Sequence, residues 1–516
     1  MKLKDLLEVL ERTPVLPGDL PDREVPAIAH DSRKVAPGSL FVAVRGFHAD
    51  GHRFIPQAVR QGAIAVVAEE GGDIGPSGGT PVIRVPDSRR ALARLAANFY
   101  GYPSRRIKVV GITGTKGKTT TSYLVKSVIE AAGHTAGLIG TIDYRIGGKV
   151  YPAPNTTPES LDLQALLAEM ASLKTEYCVM EVSSHALALG RTEGCVFEAA
   201  AFTNLAHDHL DFHDTLDDYF QAKLLLFTGL GPDMPAVVNI DDERSAEIVN
   251  HTKARVITFG LSGNADVHPK GSVSHGISGL SFTAGTPAGD IAIRSPLVGK
   301  HNTYNILTAV ALGVGLGFSD GTISAGIGRM QSVPGRMEKV DDGQPFGVLV
   351  DYAHTEGSLV SLLDAVRGIA AGRVITVFGC GGDRDRTKRP KMGAAALNGS
   401  DVVIVTSDNP RTEDPLAIIR EIEGGMSSAG ARVSSLSGTK KSASGRTPYL
   451  VIPDRRAAIA AAVSIAEAGD VVVLAGKGHE DYQIIGETKV HFDDREVARE
   501  ELRKINAEWG IRTREV

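Results

Sequence analysis

The stretch VVGITGTKGKTTTSYLV, residues 109–125, decides how the chain reads. The apolar run Val109–Ile112 reads as a buried strand, glycines stand at 111, 114 and 117, and Lys118, Thr119 and Thr120 open a helical pattern. A strand entering a helix through such a loop is a phosphate cradle, because glycines let backbone N–H groups face phosphate oxygens with a helix N-terminus behind them. Lys118 then offers a cation to the β/γ-phosphates and Thr119 a hydroxyl to Mg2+. The spelling departs from G-x-x-x-x-G-K, since Ile112 stands where the first glycine would be. Water, a hydroxyl or a carboxylate could each receive the phosphate, and the loop alone does not choose.

Outward from the loop, strand and helix patterns alternate. EYCVMEV, AAAFTNL and PAVVNID follow in one block, then GVLVDYA, RVITVFGC, DVVIVTSD and DVVVLAGKG in a second. Such alternation predicts α/β domains with mainly parallel sheets, helices on both faces, and ligand sites beyond the carboxyl ends of the strands. At 516 residues the chain is too long for one core. Three domains are expected: 1–105, a small α/β unit holding SLFVAV and AIAVVAE; 106–333, the phosphate-binding block; and 334–516, an open Rossmann-like sheet. SVPGRME, residues 332–338, reads as a linker, and the Ser/Gly/Lys-rich residues 426–449 as a mobile surface loop.

Composition excludes other classes. Lys and Arg total 56 against 61 Asp and Glu, a net charge of −5, which argues against a broad nucleic-acid-binding surface. Three cysteines fit neither a zinc site nor a disulfide framework. The N-terminus lacks a signal-peptide apolar run and no membrane-length apolar stretch follows, so a cytoplasmic protein is expected.

Four further motifs carry chemistry. Glu181 ends the strand of CVMEVSSH, as a Mg2+ ligand or a solvated acid would. TNLAHDHLDFHD, 203–214, packs three His and three Asp without zinc-site spacing, and a polar loop would read the same way. In TLDDYFQAKLLLF, Lys223 shares a helical face with Leu216, Tyr219, Phe220 and Phe227, where a lysine either snorkels to water or serves a purpose. VFGCGGDRDRTKRPKMG sets Arg384, Arg386, Lys388, Arg389 and Lys391 at a strand end, as an anion pocket or a solvated basic loop.

Taken in order, these motifs resemble the Mur ligases of peptidoglycan synthesis, most closely the MurE type, UDP-N-acetylmuramoyl-L-alanyl-D-glutamate ligases. HDSRKVAPGSLFVAVRGFHADGHRFI, GITGTKGKTTT, NTTPES, MEVSSHAL, TNLAHDHLDFH, YFQAK, GKHNTYNIL, PGRME, DYAHTEGSL, FGCGGDRDRTKRPKMG, DNPRTEDP and AGKGHEDYQ carry the resemblance across nearly the whole chain. It implies an N-terminal uridine-nucleotide domain, a central ATPase and a C-terminal domain bringing an amino acid. The γ-phosphate then goes to a carboxylate, and an amine displaces it to form an amide.

By the same resemblance Gly114, Thr115, Lys116, Gly117, Lys118, Thr119 and Thr120 hold ATP phosphates, and Asn302, Asn305, Arg336 and Asp351 contact the rest of the nucleotide. Thr119, Glu181, His209 and a carbamylated Lys223 match Mg2+ positions, while Lys118, Lys223 and His354 match catalytic ones. Ser32, Phe47, His48, Ala49, Asn155, Thr156, Thr157, Ser183 and Arg191 match UDP-sugar contacts. Arg384, Asp408, Asn409, Pro410, Arg411, Gly476 and Glu480 match those for meso-diaminopimelate, and the arginine of DNPR distinguishes that choice from L-lysine. Lys116 replaces the usual Asn, Leu189 a frequent polar residue, and DYAHTEGSL the commoner DYAHTPD. The resemblance implies small-molecule partners, no nucleic acid and a monomer. The rivals are an L-lysine-adding relative, folylpolyglutamate synthase, against which HDSR, GFHADG and DNPR speak, and a non-catalytic nucleotide switch.

Overall fold

The computed structural model describes residues 1–10, 23–46, 49–73, 75, 77–208, 212–427, 430–436 and 446–508. The chain forms two compact units, Met1–His268 with Gly285–Gly289 and Tyr304–Gly326, and Pro269–Ala284 with Asp290–Thr303 and Ile327–Val516. Both are α/β with mainly parallel sheets, as the alternation predicts.

The first unit holds a four-stranded parallel sheet, Ile28–Ala29, Leu40–Ala43, Ala65–Glu69 and Val82–Val85. It also holds an eight-stranded sheet in the order Arg255–Phe259, Pro235–Asn239, Ala199–Phe202, Lys108–Thr113, Tyr177–Glu181, Ala136–Ile139, Asp143–Ile146 and Lys149–Pro152. Its first six strands are parallel and the last two turn back antiparallel. The order matters for chemistry. Lys108–Thr113, which feeds the glycine loop, lies between the strands ending in Phe202 and Glu181, so the residues after both arrive at the loop.

In the second unit seven strands run Glu338–Lys339, Gly347–Asp351, Val471–Ala475, Val374–Phe378, Val402–Val405, Thr447–Val451 and Gly430–Arg432, all parallel except the first pair. Successive side chains enter different cores. Leu349, Val374, Phe378, Val403 and Val473 pack with the helices Glu356–Arg367, Lys388–Gly399 and Pro415–Gly424, whereas Val348, Ile375, Val377, Ile404 and Leu474 pack with Arg455–Ile465 and Asp494–Glu508. Two covered faces explain why these strands read as unbroken apolar runs. A bidentate pair, Arg455 Nε and Nη2 on Asp494 Oδ1 and Oδ2 at 2.7 and 2.6 Å, lies fully buried beside the second core.

Several elements depart from the sequence reading. His268–Gly276, Gly279–Thr286 and Gly289–Ser295 form a three-stranded sheet that the sequence does not announce, because its first strand, HPKGSVSHG, has no buried residue and lacks an apolar period. SVPGRME is no loose linker: Val333 and Met337 are buried, Gly335 packs on the backbone of Gly478 and His479, and its carbonyl accepts from Tyr352 N–H. Within 426–449, Met426 is buried and both Gly430–Arg432 and Thr447–Val451 join the sheet, so composition alone misreads the ends of this stretch. The three cysteines are unpaired by disulfides. Among the described residues no helix is long and apolar enough to cross a membrane.

Candidate active site

The glycine loop is held by the strand beside it. Thr115 N–H donates to the Asn204 carbonyl at 2.8 Å, Lys116 N–H to Asn204 Oδ1 at 2.9 Å, and Asn204 Nδ2 to the Lys116 carbonyl at 3.0 Å. Thr203 Oγ1 also donates to that carbonyl at 2.7 Å, and Ala206 N–H to Thr115 Oγ1 at 2.9 Å. Gly114, at φ +145°, has no room for a Cβ beside the Thr203 hydroxyl, and a Cβ on Gly117, at φ +88°, would fall 2.5 Å from Asn305 Oδ1. The glycines therefore serve this close approach. The amides of Thr115 and Lys116 both face Asn204. The loop runs into the first turn of the helix Lys118–Ala131, and a helix N-terminus favours negative charge. Lys118 Nζ lies on the loop, 2.8 Å from the Gly114 carbonyl and 3.0 Å from that of Thr115.

The acidic partner is buried. Glu181 is 1% exposed, and its Oε2 accepts from Thr119 Oγ1 at 3.0 Å and Thr141 Oγ1 at 3.1 Å, while Oε1 accepts from Thr141 N–H at 2.9 Å. This excludes the solvated acid. Thr141 also meets Thr156 Oγ1 at 3.1 Å.

Lys223 does not snorkel. On the helix Leu216–Thr228 it is 1% exposed among Tyr219, Phe220 and Phe227, while Leu216 lies exposed, off that face. Burial, reinforced by the charge of Lys118, pushes its amine well below the usual lysine range. The amine lies 4.1 Å from the Tyr219 ring centroid, and Tyr219 OH meets Thr115 Oγ1 at 3.1 Å, which joins the helix to the loop. His213 Nε2 meets Ser184 Oγ at 3.0 Å, and His185 stacks on Phe212. His209 lies outside the described residues.

The proposed UDP-sugar residues form two groups. Thr157 Oγ1 donates to the Glu181 carbonyl at 2.8 Å and accepts from Ser183 N–H at 3.0 Å, and Arg191 reaches the Thr157 carbonyl at 3.1 Å and Glu159 at 2.6 Å. Thr156 stands beside them, and exposed Asn155 receives Tyr144 OH on its carbonyl. Ser32 is buried in a one-turn helix with its hydroxyl on Gln57, and the Ala49 carbonyl accepts from Gly46 N–H at 2.9 Å. Phe47 and His48 lie outside the described residues.

In the second unit, Asp351 accepts from Met337 and Ala353 N–H at 2.8 Å each, and burial raises its pKa against the pull of Arg336. Arg336 lies over the Tyr352 ring, and His354 Nδ1 donates to the Tyr352 carbonyl at 2.8 Å, which in the neutral ring leaves the lone pair on Nε2. Asn302 Nδ2 donates to the Val298 carbonyl at 2.7 Å.

Asp408, Asn409, Pro410 and Gly476 are buried together, and Asn409 Nδ2 donates to Glu480 Oε2 at 2.9 Å. Fully buried Lys477 holds the same carboxylate at 3.3 Å. Arg411 Nη1 donates to the Gly382 carbonyl at 2.7 Å. The basic loop is not the cationic pocket its charge count suggests. Arg389 is buried between Glu413 and Glu421, Arg386 pairs with Glu421, and Lys388 caps the His354 carbonyl, while Arg384 remains exposed.

Sequence reasoning missed Thr203, Asn204, Thr141 and Lys477. Their common signal is position: each stands within two residues of the carboxyl end of a parallel strand.

The description Mur ligase middle domain matches residues 112–313, Mur ligase, glutamate ligase domain residues 335–478, and Mur ligase family, catalytic domain residues 24–100. The UDP-N-acetylmuramoyl-L-alanyl-D-glutamate--2,6-diaminopimelate ligase of Geobacillus thermodenitrificans is 47% identical over 505 residues, covering 97% of this chain and 99% of that one. The chain belongs to the Mur ligase family. Another 2,6-diaminopimelate ligase, from Geobacter metallireducens, is 47% identical across 98% of this Mur ligase and 99% of its own length. A solved structure of a protein of that name superposes with a TM-score of 0.72 at 31% identity, covering 98% of this chain and all of that one. MurF from Acinetobacter baumannii, at 19% identity, TM-score 0.61 and coverage of 92% and 95%, shares the fold.

Proposed function

We propose that this Mur ligase joins meso-2,6-diaminopimelate to UDP-N-acetylmuramoyl-L-alanyl-D-glutamate, forming an amide at the cost of ATP in peptidoglycan precursor synthesis. What carries the reading is end-to-end similarity, at 47% identity, to a relative named for joining those two substrates. The site chemistry agrees with it.

ATP phosphates lie against the N-terminus of Lys118–Ala131, with Lys118 opposing the charge that develops on the transferred group. Asn302, Asn305, Arg336 and Asp351 contact the rest of the nucleotide. Mg2+ fits the donors present, because Thr119 Oγ1 and Glu181 Oε2 are hard oxygens 3.0 Å apart. These two would hold it, with His209 and with Lys223 once its buried amine has added CO2, releasing a proton and becoming an oxygen donor. When bound, Mg2+ withdraws charge from phosphate oxygens.

Ser32, Phe47, His48, Ala49, Asn155, Thr156, Thr157, Ser183 and Arg191 hold the UDP-sugar dipeptide. Its D-glutamyl carboxylate attacks the γ-phosphorus, releasing ADP and leaving an acyl phosphate. The diaminopimelate ammonium loses a proton, with the His354 Nε2 lone pair as one acceptor, and the free amine attacks the acyl carbon. Phosphate departs as the amide forms. Arg384, Asp408, Asn409, Pro410, Gly476 and Glu480 surround the amino acid, and Arg411 grips its distal carboxylate. The partners are these small molecules, and the enzyme acts as a cytoplasmic monomer.

The test is phosphate release measured with ATP plus each substrate singly and both together. Release that requires both supports a ligase. Release with ATP alone at the same rate points to the nucleotide switch instead.

A further inference from the structure

Arg411 adopts a left-handed backbone, φ +52°, which side-chain-bearing residues hold only where their surroundings enforce it. The surroundings here are a two-stranded hairpin, Tyr482–Ile485 paired with Thr488–His491. Four hydrogen bonds join its inner strand and turn to the Asp408–Arg411 segment. Gln483 Nε2 donates to the Asp408 carbonyl at 2.7 Å, and Ile484 N–H to Asn409 Oδ1 at 3.0 Å. Arg411 N–H donates to the Ile484 carbonyl at 3.0 Å, and Gly486 N–H to the Arg411 carbonyl at 2.8 Å. The last two bonds straddle Arg411 and fix its backbone.

The outer strand is exposed throughout, and Ile485 is 53% exposed, so the hairpin contributes little to either core of its unit. An isolated hairpin is marginal in water. Its order here comes from the Asp408–Arg411 segment, and the segment's unusual backbone comes from it. The turn has Gly486 at φ +61° in its first central position, a value that glycine holds without strain.

We infer that the hairpin 482–491 is a positioning brace for the amino-acid pocket, with Gln483 and Gly486 as its two decisive residues. Neither touches the reacting atoms. They act by holding Asn409 against Glu480 and by aiming Arg411. The inference rests on the proposed function for the identity of the amino acid, though not for the existence of the pocket.

The test uses the full-length enzyme and the variants Gln483→Leu, Gly486→Val and Gly486→Asn. A Cβ on Gly486 meets nothing within 4 Å, so steric clash does not enter, and only the backbone preference changes. Asn tolerates the left-handed region, whereas Val does not. Gly486→Val and Gln483→Leu are expected to raise the KM for meso-diaminopimelate roughly tenfold or more, with the KM for ATP and for the UDP-substrate unchanged and Tm little altered. Gly486→Asn should behave as the parent. Unchanged KM for the amino acid in both damaging variants overturns the brace, as does an equal rise in all three KM values. If one variant fails to fold, the other decides. A parent that ignores diaminopimelate fails the proposed function instead, and the same KM comparison is then read with the amino acid it does use.

Discussion

Asn204 closes a two-bond ring on Lys116, accepting from its N–H at 2.9 Å and donating to its carbonyl at 3.0 Å. The ring fixes the middle of the phosphate loop from outside it. Each such bond contributes about 1 kcal/mol net. Asn204→Ala is therefore expected to weaken ATP binding roughly tenfold, read by direct nucleotide titration, with the fold retained. Unaltered affinity would show that the loop keeps its shape without Asn204.

Lys223 is buried with its amine driven toward the neutral form, the form that adds CO2. Lys223→Ala should lose nearly all ligation, and acetate or formate should restore part of it by supplying the missing oxygen donor. A carbamate carbon signal after labelling with 13C bicarbonate is the independent readout. Full activity without any such signal would leave Lys223 a packing residue.

The proposed grip of Arg411 on the distal carboxylate predicts selectivity. Lysine lacks the second carboxylate, so its binding leaves the guanidinium desolvated without a partner, a cost of about 2 to 5 kcal/mol. Discrimination of at least ~30-fold against L-lysine is expected in the parent and should collapse in Arg411→Ala. Competition assays with both amino acids measure it, and a preference that survives the substitution moves the specificity elsewhere.

The Arg455–Asp494 pair has both side chains at 0% exposure. Removing one partner strands a buried charge, which costs about 3 to 5 kcal/mol. Arg455→Met should lower the denaturant midpoint of the second unit markedly, whereas the double replacement Arg455→Met with Asp494→Leu should recover much of the loss. Equal damage in both variants would mean that the Arg455 contact with the Ala475 carbonyl matters more.

Acid should loosen the loop that carries Arg384. The Arg389 guanidinium, helped by the Asp383 N–H, holds the Glu413 carboxyl at about 2, against about 4.3 for an unperturbed glutamate. Because the folded value is the lower one, this stabilisation is complete above the unfolded value and vanishes as pH falls from about 4 to about 2. The stability gap between parent and Glu413→Gln should therefore close over that window in acid titrations of unfolding. A gap constant with pH would place the contribution of Glu413 outside its charge.

The sequence alone determined what depends on neighbours along the chain. The strand at 108–113, its glycine turn and the helix from Lys118 follow from local periodicity and backbone freedom, and the unbroken apolar runs already imply sheets covered on both faces. Lys223 stood out because one charged residue interrupted an apolar helical face. Tertiary structure decided what depends on strand order and burial. Thr203 and Asn204 reach the loop, some ninety residues earlier, only because the strands ending at Phe202 and Thr113 are adjacent. The same adjacency gives the amides of Thr115 and Lys116 their acceptors on Asn204. Charge counting could not foresee that Arg386 and Arg389 meet Glu413 and Glu421, since the helix Lys388–Gly399 and the strand Val402–Val405 come before those acids in the chain. Nor could composition distinguish a snorkelling lysine from a buried one. That choice lies in the dielectric around the amine, which exists only once the fold has buried it beside the Tyr219 ring.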